Sequence, residues 1–155
     1  MKEISCGVLI FNPDNLLLLG HVTGQKHYDI PKGLWESGES FIDTAIRETN
    51  EETGISLHKE DLIDLGAFKY NSKKDLQLFQ VNNYNITLSN LVCTSTFEHF
   101  YTKKILPEVD GFILCTKDDA INLVAKSMSK VLENIFAQKN NFKNKEYYAK
   151  WIEFR

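Results

Sequence analysis

The chain is sparing with several residue types whose abundance would mark a special class. Its 155 residues include only 3 prolines, 8 glycines and 3 cysteines. No repeat, low-complexity tract or Pro/Gly/Ser-rich linker interrupts it, so the length predicts one domain with a single substantial core. Long apolar runs are missing as well. "GVLIF" and "LLLL" fall far short of the roughly 18 residues that cross a membrane, and "MKEISCG" lacks the apolar segment of a signal peptide. There is no excess of positive charge: 18 Lys and Arg stand against 21 Asp and Glu, a net charge of −3. That balance argues against a generic binder of nucleic acid or acidic membrane. An anionic ligand would need a local attractor, such as a bound cation. Cys6, Cys93 and Cys115 are odd in number and lack metal-ligand spacing. They read as buried free thiols in a reducing cytoplasm, which sets the expected location.

What is present is the composition of an ordinary globular protein, 43% hydrophobic and 25% charged. "EISCGVLIF" and "LLLLGHV" flank the turn signal "NPDN" and predict an opening hairpin. "HYDI" reads as a short strand ending at Pro31. Ser40, with Asp43 three residues on, reads as a helix start, and Gly54 suits the residue after its end, so a helix is expected over 41–53. "DLIDLGAFKY" and "DLQLFQVNNY" read as strands joined by "NSKK". The stretch from Ile86 to Pro107 carries no clear pattern. "DGFILCT" reads as a strand leading into a second helix, along which Ile121, Val124, Ala125, Met128, Leu132, Ile135 and Phe136 recur at helical steps. Strands separated by two helices predict an α/β sandwich. Residues 139–155 interleave lysines with aromatics but also carry Glu146 and Glu153. They read as a C-terminal arm or helix rather than an RNA contact.

The densest chemical signal lies between residues 31 and 55, in "PKGLWESGESFIDTAIRETNEETGI". On a helical wheel at ~100° per residue, Ile42, Ala45, Ile46 and Thr49 form a core-facing stripe. Glu48, Glu51 and Glu52 fall off that stripe as neighbours at i, i+3 and i+4. Like charges at that spacing repel, and Glu51 and Glu52 stand in the last turn, where the helix dipole disfavours them. Each feature costs a few tenths of a kcal/mol in isolation unless a cation offsets it. Carboxylates converging from one helix suit Mg²⁺ or Mn²⁺, which take hard oxygen ligands. The plain alternative is a solvated acidic face with an Arg47–Glu51 pair. It leaves the positions of Gly33, Glu39 and Gly54 unexplained.

With those residues in place, the segment resembles the signature box of the Nudix hydrolases. Gly33, Glu39, Arg47, Glu48, Glu51, Glu52, Gly54 and Ile55 all fall in register with it, and Thr49 departs from it where an aliphatic residue is usual. Only the box is specific, though the order of elements agrees over roughly residues 3 to 137.

The resemblance implies an α/β/α sandwich with a mixed central sheet. It also implies metal-dependent hydrolysis of the pyrophosphate linkage of a nucleoside diphosphate derivative. Under it, Glu48, Glu51 and Glu52 are metal ligands, one of them serving as base, and the backbone carbonyl at Gly33 approaches the metal. Arg47 orients the cluster and Glu39 braces the loop. Many relatives use a further glutamate outside the box. Glu108, in "LPEVDGFILCT", is the first candidate for that role and Glu98 the second, against the alternative of ordinary loop acids. Lys32 stands in a "PKG" context that resembles the diadenosine polyphosphate hydrolases, where a lysine meets phosphate; otherwise it is a surface lysine. Tyr28 and Tyr70 are candidates to stack on a base, against the commoner role of strand aromatics as core.

A dinucleoside polyphosphate or a nucleotide sugar such as ADP-ribose is the first expectation for the substrate. The alternatives are a house-cleaning NTP pyrophosphohydrolase, an RNA 5′-pyrophosphohydrolase, or a non-catalytic nucleotide sensor. No membrane or nucleic-acid partner is expected, and a homodimer stays open.

Overall fold

Burial along the first strand does not alternate, and this sets the architecture. The computed structural model describes residues 2–138, so the expected arm at 139–155 lies outside the described residues. In β1 (Glu3–Ile10) every residue from Ser5 to Ile10 is buried. A strand buried on both faces belongs between two layers. Cys6, Val8 and Ile10 face one apolar cluster, and Leu9 faces another. The first cluster is closed by α1 (Phe41–Thr53) through Ala45, with Ile42 and Ile46 packed against it. The second is closed by Ala120, Met128, Leu132 and Ile135 from the C-terminal helices. The result is the expected α/β/α sandwich.

The main sheet has the order β4 (Lys32–Leu34), β1, β6 (Lys74–Val81), β5 (Ile63–Lys69). It is mixed: β1 runs parallel to β6 from Glu3↔Lys74 to Ile10↔Val81, while β4 and β5 are antiparallel to their neighbours. A second, antiparallel sheet contains β3 (Tyr28–Asp29), β2 (Leu17–Val22) and β9 (Val109–Cys115). A separate ribbon joins β7 (Thr96–Glu98) to β8 (Ile105–Pro107).

Two expectations need correction. The "NPDN" turn forms, with the Asn12 side chain accepting from the Asp14 and Leu16 N–H groups. Its flanking strands do not form a hairpin, however. Beyond an isolated bridge at Phe11↔Leu17 they enter different sheets. Both are deeply buried, and each satisfies its backbone against another partner, β1 on β6 and β2 on β9. The second helix is also two helices, α2 (Lys117–Leu123) and α3 (residues 126–138). Val124 leaves the helical region (φ −87°, ψ 165°) and bridges to Tyr28. The apolar stripe survives this break because Val124, Met128, Leu132 and Ile135 all bury into the same core.

The first helix forms where the capping residues place it. The Ser40 hydroxyl accepts from the Asp43 N–H, and Gly54 ends the helix at φ 81°. Cys6 and Cys115 are buried free thiols, whereas Cys93 is only half-buried. Burial pushes the Cys6 thiol up to about 12 and Cys115 to about 11, so neither is a nucleophile at neutral pH. Among the described residues no helix is long and apolar enough to cross a membrane.

Candidate active site

Strand β4 brings Gly33 against β1, opposite Cys6, and α1 packs across both. The Glu48 carboxyl group lies directly over Gly33, in the space a Cβ would occupy. Glycine is the residue that permits this approach.

Arg47 ties the surrounding acids together. Its Nε and Nη2 donate to the two Glu39 oxygens, each at 2.9 Å. Its Nη1 donates to Glu48 at 2.9 Å and reaches Glu51 at 3.4 Å. Glu39 also accepts from the Thr44 hydroxyl, and the Arg47 hydrogen bond holds its carboxyl below the usual range. Burial pushes the Glu48 carboxyl up, and the charge of Glu51 adds to that push against the pull of Arg47.

Glu52 is the unexpected member. It lies off the apolar stripe, yet it is only 8% exposed, beneath the chain at Pro31 and Lys32. Its Oε1 accepts from the Lys32 backbone N–H at 2.9 Å. Burial pushes its carboxyl up to about 8, partly opposed by that hydrogen bond. The Lys32 ammonium pairs with Asp29 at 3.1 Å and stands 5.6 Å from the Tyr70 ring centroid. Burial pulls its pKa down, but Asp29, Tyr70 and Glu52 outweigh that and raise it overall. Sequence reading missed Asp29; its signal was an acid three residues before the lysine in "DIPK".

Asp29, Lys32, Glu52, Phe97, Glu108 and Phe112 share the lining of a cleft of about 400 Å³. Glu108 is exposed, between β8 and β9, and its charge adds to the upward push on Glu48 and Glu52. Glu98 is exposed on β7 and is not among the cleft-lining residues. Tyr28 and Tyr70 are not among them either. Both pack against the apolar core on the α2–α3 side, and Tyr28 meets the His21 ring edge-on at 5.1 Å.

The segment after α1 joins the two sides of this site. Val92 N–H donates to Thr53 O, and the Thr94 and Ser95 N–H groups donate to Glu51 O. Ser95 O in turn accepts from the Glu108 N–H. The Glu51 and Thr53 carbonyls at the end of α1 are thereby satisfied.

Among the described residues, no three acidic, imidazole or thiolate groups already stand together in a metal-ligating arrangement. Glu48 is turned onto Arg47 and Glu52 onto the Lys32 N–H. The donor chemistry nevertheless fits a hard divalent ion. The donors are all oxygen, and two of the carboxylates are held where burial disfavours their charge.

The mixed α/β/α sandwich thus sets Glu52 of α1, Glu108 and Lys32 on one cleft, beside the Arg47-tied acids of the same helix. The chain belongs to the Nudix family, whose NUDIX domain model matches residues 1–133. It is a Nudix hydrolase, a pyrophosphohydrolase of a family that generally uses divalent metal ions.

It is 37% identical over 150 residues to an uncharacterized 17.7 kDa protein in the e-segB intergenic region of Enterobacteria phage T4, covering 88% of this chain and 97% of that one. It is 39% identical over 70 residues to the asymmetrical bis(5′-nucleosyl)-tetraphosphatase of Mus musculus, covering 39% of this chain and 48% of that protein. Its fold matches a C. elegans Ap4A hydrolase binary complex with a TM-score of 0.58 at 22% identity, covering 88% and 98% of the two chains.

Proposed function

We propose that the protein cleaves the pyrophosphate linkage of a dinucleoside polyphosphate in the Asp29–Glu108 cleft, using Mg²⁺ or Mn²⁺. The observation that carries this reading is a cleft whose lining brings together Lys32, Glu52 and Glu108. A cation for phosphate and acids for an ion or a water thus meet in one space. The "PKG" context and the sequence match to a tetraphosphatase over 70 residues support the substrate class.

In this reading Glu48, Glu51 and Glu52, with the Gly33 carbonyl, hold the metal. Its chemistry when bound is to neutralise phosphate oxygens and to lower the pKa of a water. Arg47 fixes the direction of Glu48 and Glu51, and Glu39 fixes Arg47. Lys32 exchanges Asp29 for a phosphate oxygen. Glu108 takes the proton of the attacking water.

The test is a panel of diadenosine polyphosphates, ADP-ribose, nucleoside triphosphates and 5′-triphosphorylated RNA, with Mg²⁺ and Mn²⁺, read by product chromatography. Turnover of the diadenosine compounds at the highest kcat/KM supports the proposal. A clear preference for nucleoside triphosphates or RNA sinks the substrate assignment, and full activity in excess chelator sinks the metal.

A further inference from the structure

The β7–β8 ribbon pairs only with itself among the described strands. Its connecting turn, "HFYTKK", exposes Phe100 by 76% and Tyr101 by 84%. A turn that only reverses the chain would carry polar residues at those positions.

The rings are held in place. Phe100 and Tyr101 meet edge to face at 5.0 Å and 89°, and the Lys103 ammonium stands 5.4 Å from the Phe100 centroid. The Thr102 N–H donates to His99 Nδ1, and Lys103 takes a left-handed conformation (φ 60°) that tightens the turn. Lys103 and Lys104 thus gather positive charge beside two exposed rings, on a chain of net charge −3.

The root of the ribbon is part of the cleft. Phe97 lines it from β7, and Glu108 lines it just after β8. Tyr101 lies four residues beyond Phe97, a reach of at most about 14 Å along extended chain. Rings that offer a stacking face beside lysines that meet phosphate are the chemistry that binds a nucleotide without reading its sequence.

We infer that the tip of this ribbon binds the second nucleoside of a substrate whose polyphosphate lies in the cleft. Its base stacks on Phe100 or Tyr101, and Lys103 and Lys104 meet the phosphates that lead back toward Phe97. The inference rests on the proposed dinucleoside polyphosphate reading and deepens it by assigning the far nucleoside to Phe100, Tyr101 and the lysines beside them.

The test is calorimetric binding, with Mg²⁺, of methylene-bridged, non-hydrolysable analogues of diadenosine tetraphosphate and adenosine tetraphosphate. Wild type is compared with a Phe100→Ser/Tyr101→Ser double variant and a Lys103→Ala/Lys104→Ala double variant. Wild type should bind the two-nucleoside analogue about tenfold or more tightly than the one-nucleoside analogue, the scale of one stacked base. The aromatic variant should lose that preference, with the one-nucleoside Kd changed by less than about twofold. The lysine variant should weaken the two-nucleoside analogue by a few-fold.

A preference absent from wild type, or kept by the aromatic variant, overturns the inference. A 5′-triphosphorylated RNA that loses more affinity than the dinucleotide overturns it in favour of RNA. A wild-type dimer in sedimentation that the aromatic variant dissolves overturns it in favour of contact between copies. Failure of both analogues to bind refutes the cleft reading itself, and the inference falls with it. That result is distinct from binding without discrimination.

Discussion

The carboxyl group of Glu48 occupies the space that a side chain on Gly33 would fill. Gly33→Ala must therefore push Glu48 off the β4 chain and out of its bond to Arg47. The expected result is a loss of kcat of at least about 10²-fold, the scale for displacing a positioned catalytic group. The melting temperature should change less than for a core cavity, because the carboxylate can swing toward solvent. Activity within a few-fold of wild type would show that the close approach has no part in catalysis.

Glu52 makes a paired prediction. Glu52→Gln, like Glu51→Gln, should lower turnover by several orders of magnitude. In metal-free protein near neutral pH Glu52→Gln should also raise the melting temperature, because a group that must take up a proton to be buried is replaced by an amide that is already neutral and still accepts from the Lys32 N–H. The pH dependence follows from the same burial. The folded protein keeps a proton on Glu52 up to about 8, whereas the ordinary value is 4.5. Between those values the folded state binds more protons than the unfolded state, so the stability of metal-free wild type should fall as pH rises through that window. Thermal unfolding of wild type and Glu52→Gln from pH 5 to 8.5 checks this. Parallel curves would refute it.

Lys32→Ala should raise KM more than it lowers kcat, and the effect should grow with the number of phosphates. The measurement is a series from two to five phosphates, with the fold followed by circular dichroism because Asp29 loses its ion pair. A flat KM series would leave Lys32 with only that pair to hold.

Glu108 and Glu98 separate cleanly. Glu108 lines the cleft and Glu98 does not. Glu108→Gln should lower kcat by about 10²-fold or more with little change in KM, as expected for a lost general base. Glu98→Gln should stay within a few-fold of wild type. The reverse result would move the fourth acid to β7.

Thr49 is fully buried, and its hydroxyl has no hydrogen-bond partner among the described residues. Valine has nearly the same shape and no polar group to desolvate. Thr49→Val should stabilise the protein by about 1 kcal/mol, the low end for an unsatisfied buried hydroxyl, with activity unchanged. Urea unfolding measures it, and a lower midpoint would mean the hydroxyl has a partner after all.

Local structure is legible in the sequence where a single residue carries the signal. Ser40 and Gly54 bound α1 at both ends because capping and left-handed turns depend on single side chains. The box acids were legible because their spacing is chemical. The burial of Glu52 was not legible, since the wheel places it off the apolar stripe and the main chain it meets at Lys32 is distant in sequence. The separation of β1 from β2 was likewise hidden: a turn signal specifies the reversal and says nothing about which distant strand each arm will join. Strand β4 and the 86–107 segment are short and held by backbone pairing, which leaves little periodicity to detect.

That backbone attachment has a consequence of its own. Val92, Thr94 and Ser95 are fastened to the end of α1, and Glu108 to Ser95, through main-chain N–H and carbonyl groups. Any residue except proline can supply such a donor. Apart from Thr94, whose hydroxyl also donates to the Glu51 carbonyl, side chains along this loop and ribbon can therefore be exchanged without loosening the frame that sets the acids. Selection could remodel which molecules enter the cleft while inheriting the cutting machinery intact, and a designer could do the same by grafting a different ribbon between residues 96 and 107.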